Sequence, residues 1–240
     1  MRRRLAVAFV TILSVQSIFA GVTITGTRII YPSNQKSVTV QLNNPLDQPA
    51  MIQAWLDDGD PNSIPEADKI PFLLTPPLAL IEGKKGQMLR LMSKNFEHLP
   101  QDRESLYWFN ILDLPATHES DQNLNKLNIS IRSRIKLFYR PTQLKFSQEK
   151  AFNSIQAQYE KKTQSLQIKN PSPYYLNFFS MVLNHEKENF KYQEKLMIAP
   201  FSQESLKLNV NFKPENMYVG LINDYGAPQF YNVQIEHLEQ

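Results

Sequence analysis

Catalysis, metal binding and phosphate binding each need particular residue types at particular spacings, and this 240-residue chain supplies few of them. There is no cysteine, so neither a thiol nucleophile nor a disulfide can form. No Gly-x-Ser-x-Gly nucleophile elbow is present. His98, His118, His185 and His237 are scattered, and none pairs with another at a metal-binding spacing. Asp57-Asp58 falls in a turn, where aspartate bonds to its own backbone. Gly83-Lys84-Lys85-Gly86 lacks the Gly-Lys-Ser/Thr ending of a phosphate loop and leads into strand-like, not helical, sequence. Triads can assemble from distant residues, but nothing in the spacing points to one. The expectation is a protein with no catalytic residues, no metal and no cofactor.

What remains is a set of cations on one strand. Residues 123–141 read NLNKLNISIRSRIKLFYRP, with Leu127, Ile129, Ile131, Ile135, Leu137 and Tyr139 at odd positions and Lys126, Arg132, Arg134, Lys136 and Arg140 at even ones. A period of two is that of a β-strand with two unlike faces. The stretch is far longer than the roughly five or six residues of an ordinary strand. Either its apolar side faces this protein's own core, as alternating strands usually do, or it is an edge strand offered to another chain.

The other elements follow from the same pattern. Residues 22–31, 37–42, 51–56, 72–75, 78–81, 88–92 and 106–114 read as short strands separated by turn signals, and Pro76-Pro77 belongs at an edge or bend. That is the profile of an immunoglobulin-like sandwich. After Pro141 the composition shifts, with a polar, charged stretch over residues 145–162. A second group of strands follows at 166–169, 174–183, 194–198, 205–208, 217–223 and 229–235, so the chain divides into two all-β domains, residues 21–143 and 144–240.

Residues 1–20 stand apart, with Arg2-Arg3-Arg4 preceding a mainly apolar stretch that ends at Ala20 before Gly21. This is the form of a secretory signal peptide. The apolar run is interrupted by Thr11, Ser14, Gln16 and Ser17 and falls short of the roughly 20 residues of a membrane span. The mature chain is therefore expected to be exported and soluble, not an integral membrane protein. Of 26 Lys plus Arg, three lie in the leader, which leaves 23 against 23 Asp plus Glu. A balanced chain gives no reason to expect nucleic acid as a partner. Any cation that matters does so by position.

Residues 99–115, LPQDRESLYWFNILDLP, resemble the signature of the PapD-like periplasmic pilus-assembly chaperones, with Asp102, Arg103, Glu104, Ser105, Trp108, Asn110 and Pro115 in register. TRIIYP at 27–32, RIKLFYRP at 134–141, NPSPYY at 170–175 and INDYG at 222–226 carry the resemblance through the mature chain. It implies a boomerang of two immunoglobulin-like β-sandwich domains with a cleft between them. The implied activity is to bind, fold and cap pilus or fimbrial subunits by donating a strand, a form of β-strand addition, and to deliver them to an outer-membrane usher. Leu127, Ile129 and Ile131 are then the donor residues. Arg28 and Lys136 correspond to the cations that bind the subunit's C-terminal carboxylate and set its register. Glu104, Arg140 and Asp224 correspond to an inter-domain ion-pair network. The short 116–125 connection places the chain nearer the short-loop branch, which serves rod-shaped adhesive pili. The segment Thr75-Pro76-Pro77 resembles one that can hold a cis bond.

Two further expectations belong with these. An exposed apolar edge strand invites self-association, so the free protein can cap itself as a dimer. From another functional class comes an exported two-domain β-sandwich that binds a surface ligand or carbohydrate; its site would lie on loops.

Overall fold

In the computed structural model the described residues are 21–63, 65–66, 69–94, 96–114, 129–185, 188–210 and 212–238. The signal-peptide segment, the 116–125 connection and Leu127 lie outside them. In the first domain the strands are β1 (Thr23–Ile24), β2 (Arg28–Pro32), β3 (Ser37–Asn43), β4 (Ala50–Asp57), β5 (Phe72–Thr75), β6 (Leu78–Ile81), β7 (Gly86–Ser93), β8 (Ser105–Leu114) and β9 (Ile131–Arg140). They form a four-stranded sheet, β1-β3-β7-β5, and a five-stranded sheet, β2-β9-β8-β4-β6. Alternating side chains such as Val40, Ile52, Leu89, Phe109, Ile111 and Leu137 meet between them as one core. Burying each such side chain contributes about 1.5–3 kcal/mol, and with no disulfide these contacts must hold the sandwich.

The stretch 22–31, read as a single strand, is two strands in different sheets. Gly26 breaks it with φ of 96°, a conformation that glycine adopts without steric cost. The chain then leaves β3 and runs parallel to β9, placing Arg28 beside Lys136. The peptide bond between Thr75 and Pro76 is cis.

In the second domain, α1 (Gln148–Asn153) precedes β10 (Gln156–Glu160), β11 (Ser165–Lys169), β12 (Leu176–His185), β13 (Glu188–Tyr192), β14 (Met197–Ile198), β15 (Gln203–Lys207), β16 (Asn216–Ile222) and β17 (Pro228–Leu238). Because β10 pairs with both β11 and β17, these strands join into one continuous path around a core of its own that includes Phe152, Leu166, Leu176, Leu183, Met217 and Leu221. Three elements here depart from the sequence reading. The polar stretch after residue 145 contains α1, whose N-cap Ser147 accepts a hydrogen bond from Lys150 N at 3.2 Å. β13 was not foreseen, and the strand expected over 194–198 shrinks to β14. One helical turn and two short edge strands carry too few residues for periodicity to register.

Candidate functional site

β9 carries most of the candidate residues, and the two faces of its alternation go to different places. Leu137 and Tyr139 enter the first core, and Ile135 packs against it. Arg132, Arg134, Lys136, Phe138 and Arg140 share the opposite face. There the Arg132 guanidinium lies 4.9 Å from the Trp55 ring centre and that of Arg134 3.9 Å from Trp108. Beneath them is Asp57, fully buried. Its carboxylate accepts from Arg134 Nη2 at 2.5 Å, Arg134 Nε at 3.1 Å and Asn110 Nδ2 at 2.8 Å. Arg132 Nη2 in turn donates to Asn110 Oδ1 at 2.7 Å. Burial opposes the charge of Asp57, but the bonds from Arg134 and Asn110 outweigh it and hold the carboxyl below its ordinary value. The turn reading of Asp57 is thus only part of its environment: Gly59 N does donate to it at 2.9 Å, while its main partner lies on another strand.

At the far end of β9, Arg140 joins the two domains. Its Nε donates to Glu104 Oε1 at 2.8 Å, and its Nη1 and Nη2 donate to the Asp224 oxygens at 2.6 and 2.7 Å. Glu104 is buried, and its other oxygen accepts from Tyr175 N at 2.8 Å, while its own N–H donates to Pro173 O at 2.9 Å. Burial pushes the Glu104 carboxyl above the usual carboxylate range despite Arg140. Burial opposes the Arg140 charge too, but the hydrogen bonds to Asp224 and the field of Glu104 raise its pKa above the ordinary arginine value. Gln148, on the unforeseen α1, donates to Asp224 Oδ1 at 2.7 Å. No signal in the polar 145–162 stretch distinguishes Gln148 from its neighbours.

Between these two clusters lies a cleft of about 580 Å³ with a wall from each domain. Arg28 and Lys136 are register partners on parallel strands and both line it. Arg28 Nη1 donates to Ile222 O at 3.1 Å across the domain junction, and its Nε is buried with no hydrogen-bond partner. Lys136 Nζ donates to Asn177 Oδ1 at 2.5 Å. Burial, together with repulsion from Arg28 and Lys195, pushes the Lys136 ammonium down to about 8. Gly226 closes the junction nearby with a positive φ of 83°: a Cβ there would stand 2.3 Å from Thr27 Oγ1, so a larger residue would be strained and would have to displace that side chain.

The segment expected to act as donor can be followed from Ile129. Ile129 precedes β9 and is 68% exposed, and Ile131 is half-buried at the strand's start. The edge-strand reading holds for only half of β9. Residues 136–139 are interior, between β2 and β8, because the parallel pairing with β2 begins at Lys136, and Arg140 pairs with β2 alone. Residues 131–135 pair with β8 alone, and among the described residues no strand covers their other edge. Within one strand and its contacts the fold thus brings together Arg28, Lys136, Glu104, Arg140 and Asp224. Sequence reading gave Asn177 and Gln148 no place, and it placed Asp57 in a turn and Asn110 in a motif without showing what either bonds to, because their partners are distant in the chain.

Comparison with known proteins yields a consistent picture. Residues 21–145 match the N-terminal domain of the pili and flagellar-assembly chaperone PapD, and residues 141–232 match its C-terminal domain. The chain is 40% identical to the chaperone protein HifB of Haemophilus influenzae over 88% of its length and 86% of HifB. It is 41% identical to the probable fimbrial chaperone YadV of Escherichia coli, covering 92% and 93% of the two chains. The crystal structure of the YadV chaperone superposes with a TM-score of 0.76 over 90% of this chain and all of that one. A chain from the complex of the Salmonella enterica SafA pilin with the SafB chaperone matches with a TM-score of 0.73 and 25% identity, over 91% and 98% of the two chains.

Proposed function

This chain belongs to the PapD-like family of pilus-assembly chaperones, and on that premise we propose that it captures pilus subunits in the periplasm, folds and caps them by donating a strand, and passes them to an outer-membrane usher. Residues 1–20 direct export, residues 21–143 bind the subunit, and residues 144–240 form the second wall of the cleft. The subunit pairs with the open edge of residues 131–135, while Leu127, Ile129 and Ile131 fill its groove. Its C-terminal carboxylate is received by Arg28 and Lys136. Glu104, Arg140 and Asp224 keep the domains at the angle that forms the cleft. Burial of strand and side chains drives subunit folding.

One observation carries this reading: Arg28 and Lys136 lie side by side at the point where β9 loses its second neighbour. Two cations there fix where an added strand ends, and so which of its side chains face the groove. The SafA pilin held by the SafB chaperone supports a pilus subunit as the class of partner.

The test is co-purification from the periplasm of the native host. Wild-type protein should carry small exported β-rich proteins with a shared C-terminal pattern, identified by mass spectrometry. An Arg28→Ala, Lys136→Ala variant that keeps the wild-type circular dichroism should lose them. Equal recovery with both proteins would show that the two cations do not anchor the subunit.

A further inference from the structure

Charges along the cleft are unevenly matched. Arg140 meets Glu104 and Asp224, Arg134 meets Asp57, and Arg28 lies in the field of Asp224 and Glu104. Two ammonium groups remain, one on each wall. Lys136 Nζ donates to the neutral Asn177 oxygen and lies 5.6 Å from the Trp108 ring centre, and among the described residues it forms no ion pair. Lys195, among the described residues, makes no hydrogen bond or ion pair, yet it lines the cleft and is close enough to repel Lys136. The acid beside it in sequence, Glu194, accepts from Tyr192 Oη at 3.2 Å and lines a neighbouring hollow that Lys195 also borders.

A single terminal carboxylate brings one negative charge to these two unmatched cations. Repulsion from Lys195 adds to the cost of the partly desolvated Lys136 ammonium, and a second anion relieves what the first leaves. From this imbalance we infer that Lys195 sets specificity: it receives an acidic side chain, Asp or Glu, from the last three residues of the bound subunit. Three extended residues span roughly 10 Å, short enough to keep that side chain within reach of the cleft. This inference rests on the subunit-capping reading. It adds the class of subunit this chain prefers, one whose C-terminus carries a second negative charge.

Calorimetric titration of the purified protein with short synthetic peptides tests it. The probe alternates valine and serine, ends in a free carboxylate, and carries glutamate or glutamine third from the end; an amidated copy is the control. The glutamate peptide should bind about tenfold more tightly than the glutamine peptide, the worth of one charge-assisted bond. Lys195→Ala should remove that difference between the two peptides. Lys195→Glu should favour a lysine-bearing peptide instead. Lys195 is exposed, and unchanged thermal unfolding of each variant verifies that the fold is intact. If the amide binds more weakly than the free acid but Lys195→Ala keeps the glutamate preference, or wild type shows none, the inference is wrong and capping stands. If amidation changes nothing, or no peptide binds, the capping reading fails and this inference falls with it.

Discussion

Residues 131–135 and 136–140 of β9 share a strand and an alternating pattern, but their surroundings differ. The second half has a strand on each side up to Tyr139, sends Leu137 and Tyr139 into the core, and ends in an arginine tied to both domains. The first half is held from β8 and by the Asp57 cluster beneath it, and among the described residues no strand covers its other edge. Rigidity and availability are thus divided along one strand. A strand donor needs both, because an open edge that wandered would lose the register it is meant to impose.

The largest effect is expected at Arg140. Arg140→Ala leaves buried Glu104 and partly buried Asp224 without their cation, and should cost about 3–5 kcal/mol in urea unfolding. A loss below about 1 kcal/mol would mean that something else ties the tethered half.

Asp57→Ala should cost about 2 kcal/mol, since it removes the acceptor of Asn110 and Arg134. Because the Asp57 carboxyl is held below its ordinary 3.8, its stabilising effect is complete above that value and is lost as pH falls through the lower folded one. Acid titration of wild type should therefore show a stability loss that Asp57→Asn reduces. An unchanged acid profile would place the strand's support elsewhere.

Lys136 stands at the boundary between the halves. With its ammonium at about 8 in the free protein, affinity for a peptide with a free C-terminus should be flat below pH 8 and fall about tenfold per unit above it. An affinity independent of pH up to 10 would remove Lys136 from the anchor.

The smallest stability effect belongs to the open half. Ile129→Asp should change unfolding free energy by no more than about 0.5 kcal/mol, because the side chain is largely in water already. The same variant should lose co-purifying subunits. Retention of subunits would assign strand donation to other residues.

Much of this was legible in the chain. Period-two alternation located nearly every strand of the first domain, and the motif around Glu104 and Trp108 pointed to the family before any coordinates. Asp57 illustrates the limit. Its local sequence, Asp-Asp-Gly-Asp-Pro, is that of a solvated turn, yet the side chain is buried against an arginine 77 residues away. Gln148 sits in a stretch that reads only as polar and charged, and Lys195 is one of many lysines until the opposite wall of the cleft is in place.

The order of apolar and polar residues determined that this chain would form β-strands with one buried face each, because that order acts through neighbours on the same strand. Residue types at a few motif positions determined the family. Tertiary structure alone decided where β9 is covered and where it is open, since that depends on the chain leaving β3 at Gly26 and joining β9 at Lys136. It also decided which cations find an acid. Pairing depends on distances between residues far apart in sequence, and only the packed fold sets those distances.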